Sequence, residues 1–209
     1  MADIRRLCSG VVTANTQDSP YVVYTSPTNK KTIIKSIVVT NLSSSTEHTF
    51  SIALVGAAIA FRHVIKAGES LVLPAAGLVL QSNEQLAIGA SNSVHIRIIG
   101  EVIDASSSGS PLVIQRANGL STSQVGNTYL NASKDVLIKS VVFCNATASD
   151  ATVNVTLGGN FIAFNKTIKA YDTLIIPFVD QLLVKGESAN FWSNTASAIV
   201  AHVTGIEVT

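Results

Sequence analysis

The residues best suited to hold a metal or shuttle a proton are four histidines, His48, His63, His95 and His202. A zinc centre needs about three or four ligands, usually in paired spacings, and these four show no such spacing. They are read as solvated or interface histidines. The thirteen carboxylates stand singly, and one of them recurs: Glu84 in Ser82-Asn83-Glu84 and Glu187 in Lys185-Gly186-Glu187. One acid per loop falls well short of the about six to eight oxygens that calcium takes, so the pair is assigned to turn chemistry. Ser36 and Ser140 recur without a matching histidine and are expected to pack. No G-x-S-x-G elbow, phosphate-binding glycine loop or C-x-x-C pair is present. The expectation is a protein without catalytic, cofactor-binding or metal-binding residues, not an enzyme.

The cysteines Cys8 and Cys144 occupy unrelated contexts and are expected as free thiols in a reducing compartment. Among the aromatic residues Tyr21, Tyr24, Tyr129, Tyr171 and Trp192, we single out Tyr21, Tyr24, Tyr171 and Trp192 as a candidate contact surface for protein or glycan. Adjacent strand residues face opposite ways, so one of Phe191 and Trp192 must point away from the core. Asn-x-Ser/Thr triplets begin at Asn41, Asn131, Asn145, Asn154 and Asn165. They are read as chance matches in a chain whose first six residues lack the pattern of a signal peptide.

The elements that carry these residues read as strands throughout. Thr49 to Leu54 and Thr152 to Leu157 alternate polar and apolar residues, as a strand with one wet face does. Ile33 to Val39 and Val136 to Phe143 are nearly continuous Ile- and Val-rich runs, which suits central strands covered on both sides. Leu157-Gly158-Gly159-Asn160-Phe161 signals a tight hairpin. Val11-Val12-Thr13 and Tyr21 to Tyr24 are expected to open the first half, and Val94 to Ile98 and Ala198 to Val203 to close the two halves. Pro74 and Pro177 are expected to end edge strands, because proline cannot donate to a ladder. No segment keeps the apolar stripe of a helix.

The chain also repeats itself. Ile34-Lys35-Ser36-Ile37-Val38-Val39-Thr40-Asn41 returns as Ile138-Lys139-Ser140-Val141-Val142-Phe143-Cys144-Asn145, with five of eight positions identical and an offset of 138 − 34 = 104. Ala60-Phe61, Ile65-Lys66-Ala67, Leu71, Leu80 and Glu84 recur at an offset of 103, and Gly100 pairs with Gly205. A period of this length matches one small domain. The reading is an all-β chain of two tandem antiparallel β-sandwich domains, jelly-roll or immunoglobulin-like, from an internal duplication. The first spans 1–104, a Ser-rich linker spans 105–111, and the second spans 112–209.

Composition narrows the role. Charged residues make up 13% of the chain and the formal net charge is +1. No basic stripe exists to neutralise phosphates, so no nucleic-acid partner is expected. The longest apolar run, Ile52 to Phe61, is about half the length of a spanning helix, so no membrane partner is expected. A neutral polar surface carries little repulsion and suits stable assembly with neighbours.

These residues carry a resemblance. Tyr24-Thr25-Ser26-Pro27 is followed by the Ile33 to Asn41 strand, a Ser/Thr loop and an alternating strand, then Ile65-Lys66-Ala67-Gly68-Glu69-Ser70-Leu71 and Gln81 to Leu86. That order resembles small β-sandwich domains of virion structural proteins from tailed bacteriophages. The first half follows the pattern along most of its length, while in the second Tyr171-Asp172 replaces Gly68-Glu69. The resemblance implies a capsid decoration or cement protein that binds and stabilises the assembled head shell. The alternatives are a neck, tail or baseplate component, or a receptor- or glycan-binding adhesin. It further implies the major capsid protein or other virion proteins as partners and a homo-oligomer, with a trimer as the guess. The location implied is the virion, at the capsid surface or the neck and tail, after synthesis in the host cytoplasm.

Overall fold

A computed structural model describes residues 3–73, 77–107, 109–124, 128–176 and 180–208, with the side chains of 128–131 excepted. Among them every regular element is a strand, and every strand pair is antiparallel. The chain divides into two compact units, Met1–Ser108 and Gly109–Thr209.

Unit 1 contains β1 (Asp3–Val12), β2 (Tyr21–Thr25), β3 (Lys30–Thr40), β4 (His48–Leu54), β5 (Ala57–Ile65), β6 (Ser70–Leu73), β7 (Leu78–Leu80), β8 (Gln85–Ala90) and β9 (Val94–Asp104). One sheet runs β1-β9-β3-β6, with β7 also on β3; the other runs β2-β8-β4-β5. Unit 2 contains β10 (Leu112–Ala117), β11 (Thr128–Asn131), β12 (Asp135–Asn145), β13 (Ala151–Leu157), β14 (Asn160–Ile168), β15 (Thr173–Ile176), β16 (Gln181–Leu183), β17 (Ser188–Ser193) and β18 (Ile199–Val208). Its sheets run β10-β18-β12-β15, with β16 also on β12, and β11-β17-β13-β14. Strand for strand, this is the order of unit 1.

Each unit buries apolar side chains from both of its sheets. In unit 2 one cluster joins Val141 and Phe143 of β12 and Val203 of β18 to Val153 and Val155 of β13 and Phe191 of β17. Phe143 and Phe191 meet across it with ring centroids 5.9 Å apart. In unit 1 Ile34, Ile37 and Ile98 of the first sheet and Phe50, Ile52, Leu54 and Ile88 of the second are fully buried.

Backbone geometry recurs with the strands. Six left-handed positions appear in both units at one spacing: Val55 and Gly158, Gly56 and Gly159, Arg62 and Asn165, Gly68 and Tyr171, Gly77 and Asp180, Asn83 and Gly186, where 158 − 55 = 103. Gly158-Gly159 and Val55-Gly56 each form a two-residue hairpin turn with both central φ angles positive, the geometry that fits strand twist. Glycine accepts it freely, whereas Val55 is strained there.

Gly100 and Gly205 recur for a different reason. The neighbours of β9 both slip register beside Gly100, β1 between Arg6 and Cys8 and β3 between Ile34 and Ser36. A Cβ on Gly100 would lie 2.5 Å from Leu7 Cδ1 and 3.1 Å from the Ile33 carbonyl oxygen. The strands flanking β18 slip in the same way, and a Cβ on Gly205 would lie 2.6 Å from the Leu137 carbonyl oxygen. Bulged backbones crowd the central strand at this point, and only glycine fits beneath them.

Four sequence expectations change. β4 and β13 have no wet face, since Ser51, Asn154 and Thr156 are buried and only Thr49 and Thr152 are half-buried. β1 begins at Asp3, well before Val11, and carries Arg5-Arg6 within it. Its side chains are mostly exposed, so it shows no alternation; it is a strand because β9 supplies a ladder. β3 is central but not covered on both sides along its length, since Lys35 is exposed and Ser36, Val38 and Thr40 are half-buried. His48 and His202 are not solvated: both are buried, because their strand positions turn inward. Pro74 and Pro177 lie outside the described residues, though β6 and β15, which precede them, are edge strands.

Candidate functional site

The polar side chains that recur are occupied with backbone. Asn41 and Asn145 are completely buried at the ends of β3 and β12. Asn41 Nδ2 donates to the Thr46 and Ile65 carbonyls at 2.8 and 3.2 Å, and its Oδ1 accepts from Ser43 N at 2.9 Å. Asn145 Nδ2 donates to the Ser149, Ile168 and Lys169 carbonyls at 2.8, 3.1 and 3.1 Å, while its Oδ1 accepts from Thr147 N and Oγ1. Each asparagine ties a loop to the end of a neighbouring strand, and neither is accessible to a glycosylating enzyme in the folded protein.

Glu84 accepts from Gln81 N at 2.7 Å, and Glu187 from Val184 N at 3.1 Å, each closing its own turn. The left-handed bulges at Arg62 and Asn165 free one N–H each. Ser51 Oγ accepts the first at 2.9 Å, and Asn154 Oδ1 the second at 2.8 Å. Among the described residues no three of His, Cys, Asp and Glu come together as metal ligands would. Cys8 and Cys144 form no disulfide, and burial pushes the Cys8 thiol pKa up.

The proposed contact residues fall into two groups. Tyr21 and Tyr24 belong to β2 in unit 1, where the Tyr21 hydroxyl accepts from Thr13 N at 3.2 Å. The Tyr24 hydroxyl bonds Thr32 Oγ1 at 2.9 Å and is drawn into a part-buried network with Ser26. Tyr171 stands in a turn of unit 2, and its side chain is half-buried. Trp192 points outward from β17, half-exposed, while Phe191 beside it faces the core. The Tyr129 side chain lies outside those described.

Two residues that sequence reasoning did not single out complete a surface around Trp192. Phe161 of β14 packs on the indole with centroids 5.8 Å apart and meets Phe164 edge-on at 5.1 Å. Phe161 and Phe164 are 52% and 68% exposed, so the two phenylalanines cover part of Trp192 yet present most of their own apolar area to water. The rings reach across β13, where Asn154 and Thr156 are buried. The remaining side of β14 pairs with no described strand, leaving a nine-residue open edge with one charged side chain, Lys166. An exposed, apolar, sparsely charged edge invites a partner. A position-by-position comparison of the halves could have found it, since Phe161 replaces Ala58 and Trp192 replaces Gly89 on one sheet face.

The same face of unit 1 is built in the opposite sense. The connector 13–20 lies on it: Thr16 N donates to the Ala90 carbonyl at 2.8 Å, and a Cβ on Gly89 would lie 1.9 Å from the Thr16 carbonyl oxygen. Arg62 clamps the connector by donating from Nε and Nη2 to the two Asp18 oxygens at 2.7 and 2.9 Å. Those bonds hold the Asp18 carboxyl pKa below the usual range. Between connector and sheet is a groove of about 260 Å³, bounded by Asp18 and Pro20 and lined by Ala53, Gly56, Ala58, Phe61 and Ala87. A second hollow of about 290 Å³ adjoins it at Gly56 and Ala87 and is edged by Glu84.

No family model matches this chain, and no curated protein matches it. Solved structures that the comparison returns include the major capsid protein P2 from bacteriophage PM2. It is 11% identical, with a TM-score of 0.34 over 100% of this chain and 98% of that one. Allantoicase is 9% identical with a TM-score of 0.22, over 84% of this chain and 74% of that one. A salicylate 1,2-dioxygenase from Pseudoaminobacter salicylatoxidans is 9% identical with a TM-score of 0.21, over 98% of this chain and 70% of that one. At these scores the comparisons are too distant to carry a functional argument.

Proposed function

We propose that this chain is a non-enzymatic structural protein of a tailed-phage virion, a capsid decoration or cement protein that binds the assembled head shell and stabilises it. In this reading two β-sandwich domains arose by duplication, joined through residues 105–111. The major capsid protein or other virion proteins are the partners, and the chain acts as a closed homo-oligomer. The observation that carries it is how the side chains are divided. The recurring positions Asn41/Asn145, Ser51/Asn154 and Glu84/Glu187 hold backbone, whereas a face on which the units differ carries exposed aromatic rings in unit 2. Such a division suits a scaffold that presents a surface to be covered. Several modest contacts made at once would give lasting attachment.

Copy number in purified particles tests this. Hundreds per virion support decoration, a dozen or fewer place the chain in the neck or tail, and absence from every particle ends the reading. The adhesin alternative is favoured by one observation, the Trp192 ring packed beside the exposed Phe161 and Phe164, aromatic faces on which a sugar ring could stack. A glycan array comparing wild type with Trp192→Ala decides it, and no binding by wild type removes it.

A further inference from the structure

We propose that the aromatic face of unit 2 docks into the groove of unit 1 on a second copy of this chain. The two units present one sheet face in complementary forms. Where unit 2 raises Phe161, unit 1 has Ala58, and the small side chains of Ala53, Ala58 and Ala87 leave the groove open, while Gly89, at the place of Trp192, is covered by the connector. A cavity of about 150 Å³ lined by apolar side chains takes up a benzene ring; the groove here is about 260 Å³. It is large enough for the Phe161 ring, with the adjoining hollow beside it for Trp192.

The charges agree with this pairing. The groove is bounded by one carboxylate, Asp18, which is bonded to Arg62, and the adjoining hollow is edged by a second, Glu84. The strand β14 that would approach it brings a single cation, Lys166, and no acid. A projection on one part of a molecule that fits a recess on another makes a head-to-tail contact, which repeats until it closes a ring or extends as a filament. Aromatic anchors at the centre of a desolvated patch dominate such contacts. The inference rests on the homo-oligomer reading above and names the surfaces that would make it.

The test uses the full chain in three forms, with far-UV circular dichroism confirming that each is folded. Phe161→Ser with Trp192→Ser removes the projection and leaves the recess. Ala58→Phe fills the recess and leaves the projection, and unit 2 already carries Phe161 at the equivalent strand position. By light scattering coupled to size exclusion, wild type should form oligomers, and each variant alone should bind itself about thirtyfold or more weakly. An equimolar mixture of the two variants should form dimers and nothing larger, because one intact projection then meets one intact recess. Monomeric wild type overturns both the homo-oligomer reading and this contact. An oligomer that neither variant weakens, or a mixture that stays monomeric, overturns the contact alone.

Discussion

Replacing Asn145 with alanine should be among the most damaging single changes in unit 2. The side chain is fully buried, its two Nδ2 hydrogens are shared among three carbonyls at 2.8 to 3.1 Å, and it accepts from the Thr147 backbone at 3.0 Å. A net hydrogen bond is worth about 0.5–1.5 kcal/mol, and a buried group left unpaired costs about 1–3 kcal/mol. Water can reach part of the loop, so we expect a loss of about 3–4 kcal/mol, a large share of the about 5–15 kcal/mol that holds a domain together. Asn41→Ala leaves one fewer carbonyl unpaired in unit 1 and loses no hydroxyl contact, and should cost about 2–3 kcal/mol. The chain has one tryptophan, Trp192, and it lies in unit 2, so indole fluorescence reports that unit while far-UV circular dichroism reports both. With a urea dependence of about 1.5 kcal/mol per molar, Asn145→Ala should lower the fluorescence midpoint by about 2 M. Asn41→Ala should leave that midpoint in place and shift only part of the dichroism transition. A fluorescence shift below about 0.5 M for Asn145→Ala would show that the bracket does not hold the unit together.

Three further outcomes follow from the same geometry. Gly205→Ala should cost about 2–3 kcal/mol and more than Gly100→Ala, because its new Cβ meets a backbone carbonyl at 2.6 Å, while that of Gly100 first meets the movable Leu7 side chain; paired thermal melts would show the order. Gly89→Ala should lift the connector 13–20 from the sheet, since its Cβ would lie 1.9 Å from Thr16 O, and limited proteolysis should then cut within that connector faster than in wild type. The pair Asp150–Lys169 sets a pH dependence for unit 2. The Lys169 hydrogen bond, then the Ala170 N–H, holds the Asp150 pKa down, and Asp150 in turn raises that of Lys169. The Asp150 contribution is therefore present above the ordinary aspartate pKa and is lost as pH falls through its lowered value. The Lys169 contribution is present below the ordinary lysine pKa and is lost as pH rises through its raised value. Both groups are exposed, so the effect is shallow; Asp150→Asn should flatten the fluorescence midpoint against pH at both ends, and an unchanged profile would discount the pair.

Much of the scaffold could be read in the residues themselves. Alternation along Thr49 to Leu54 and Thr152 to Leu157 marks β4 and β13 because side-chain direction in a strand has a period of two. The recurrence of Asn41 with Asn145 and of Gly100 with Gly205 pointed to positions where local geometry tolerates little else. Each requirement is met twice, once per unit, so it leaves a trace in sequence even though the groups that impose it, such as Ile168 for Asn145 and Leu137 for Gly205, are distant in the chain. What only the tertiary structure decided depends on which strands become neighbours. β1 is mostly exposed on its side chains and owes its form to the ladder of β9. His48 and His202 are buried because of where their strands lie, not because of the residues beside them. Phe161 and Trp192 are 192 − 161 = 31 residues apart and meet across β13, above Asn154 and Thr156. The exposed aromatic face, and the groove that answers it in unit 1, exist because sheet order carries distant side chains onto one surface, and no local pattern records that placement.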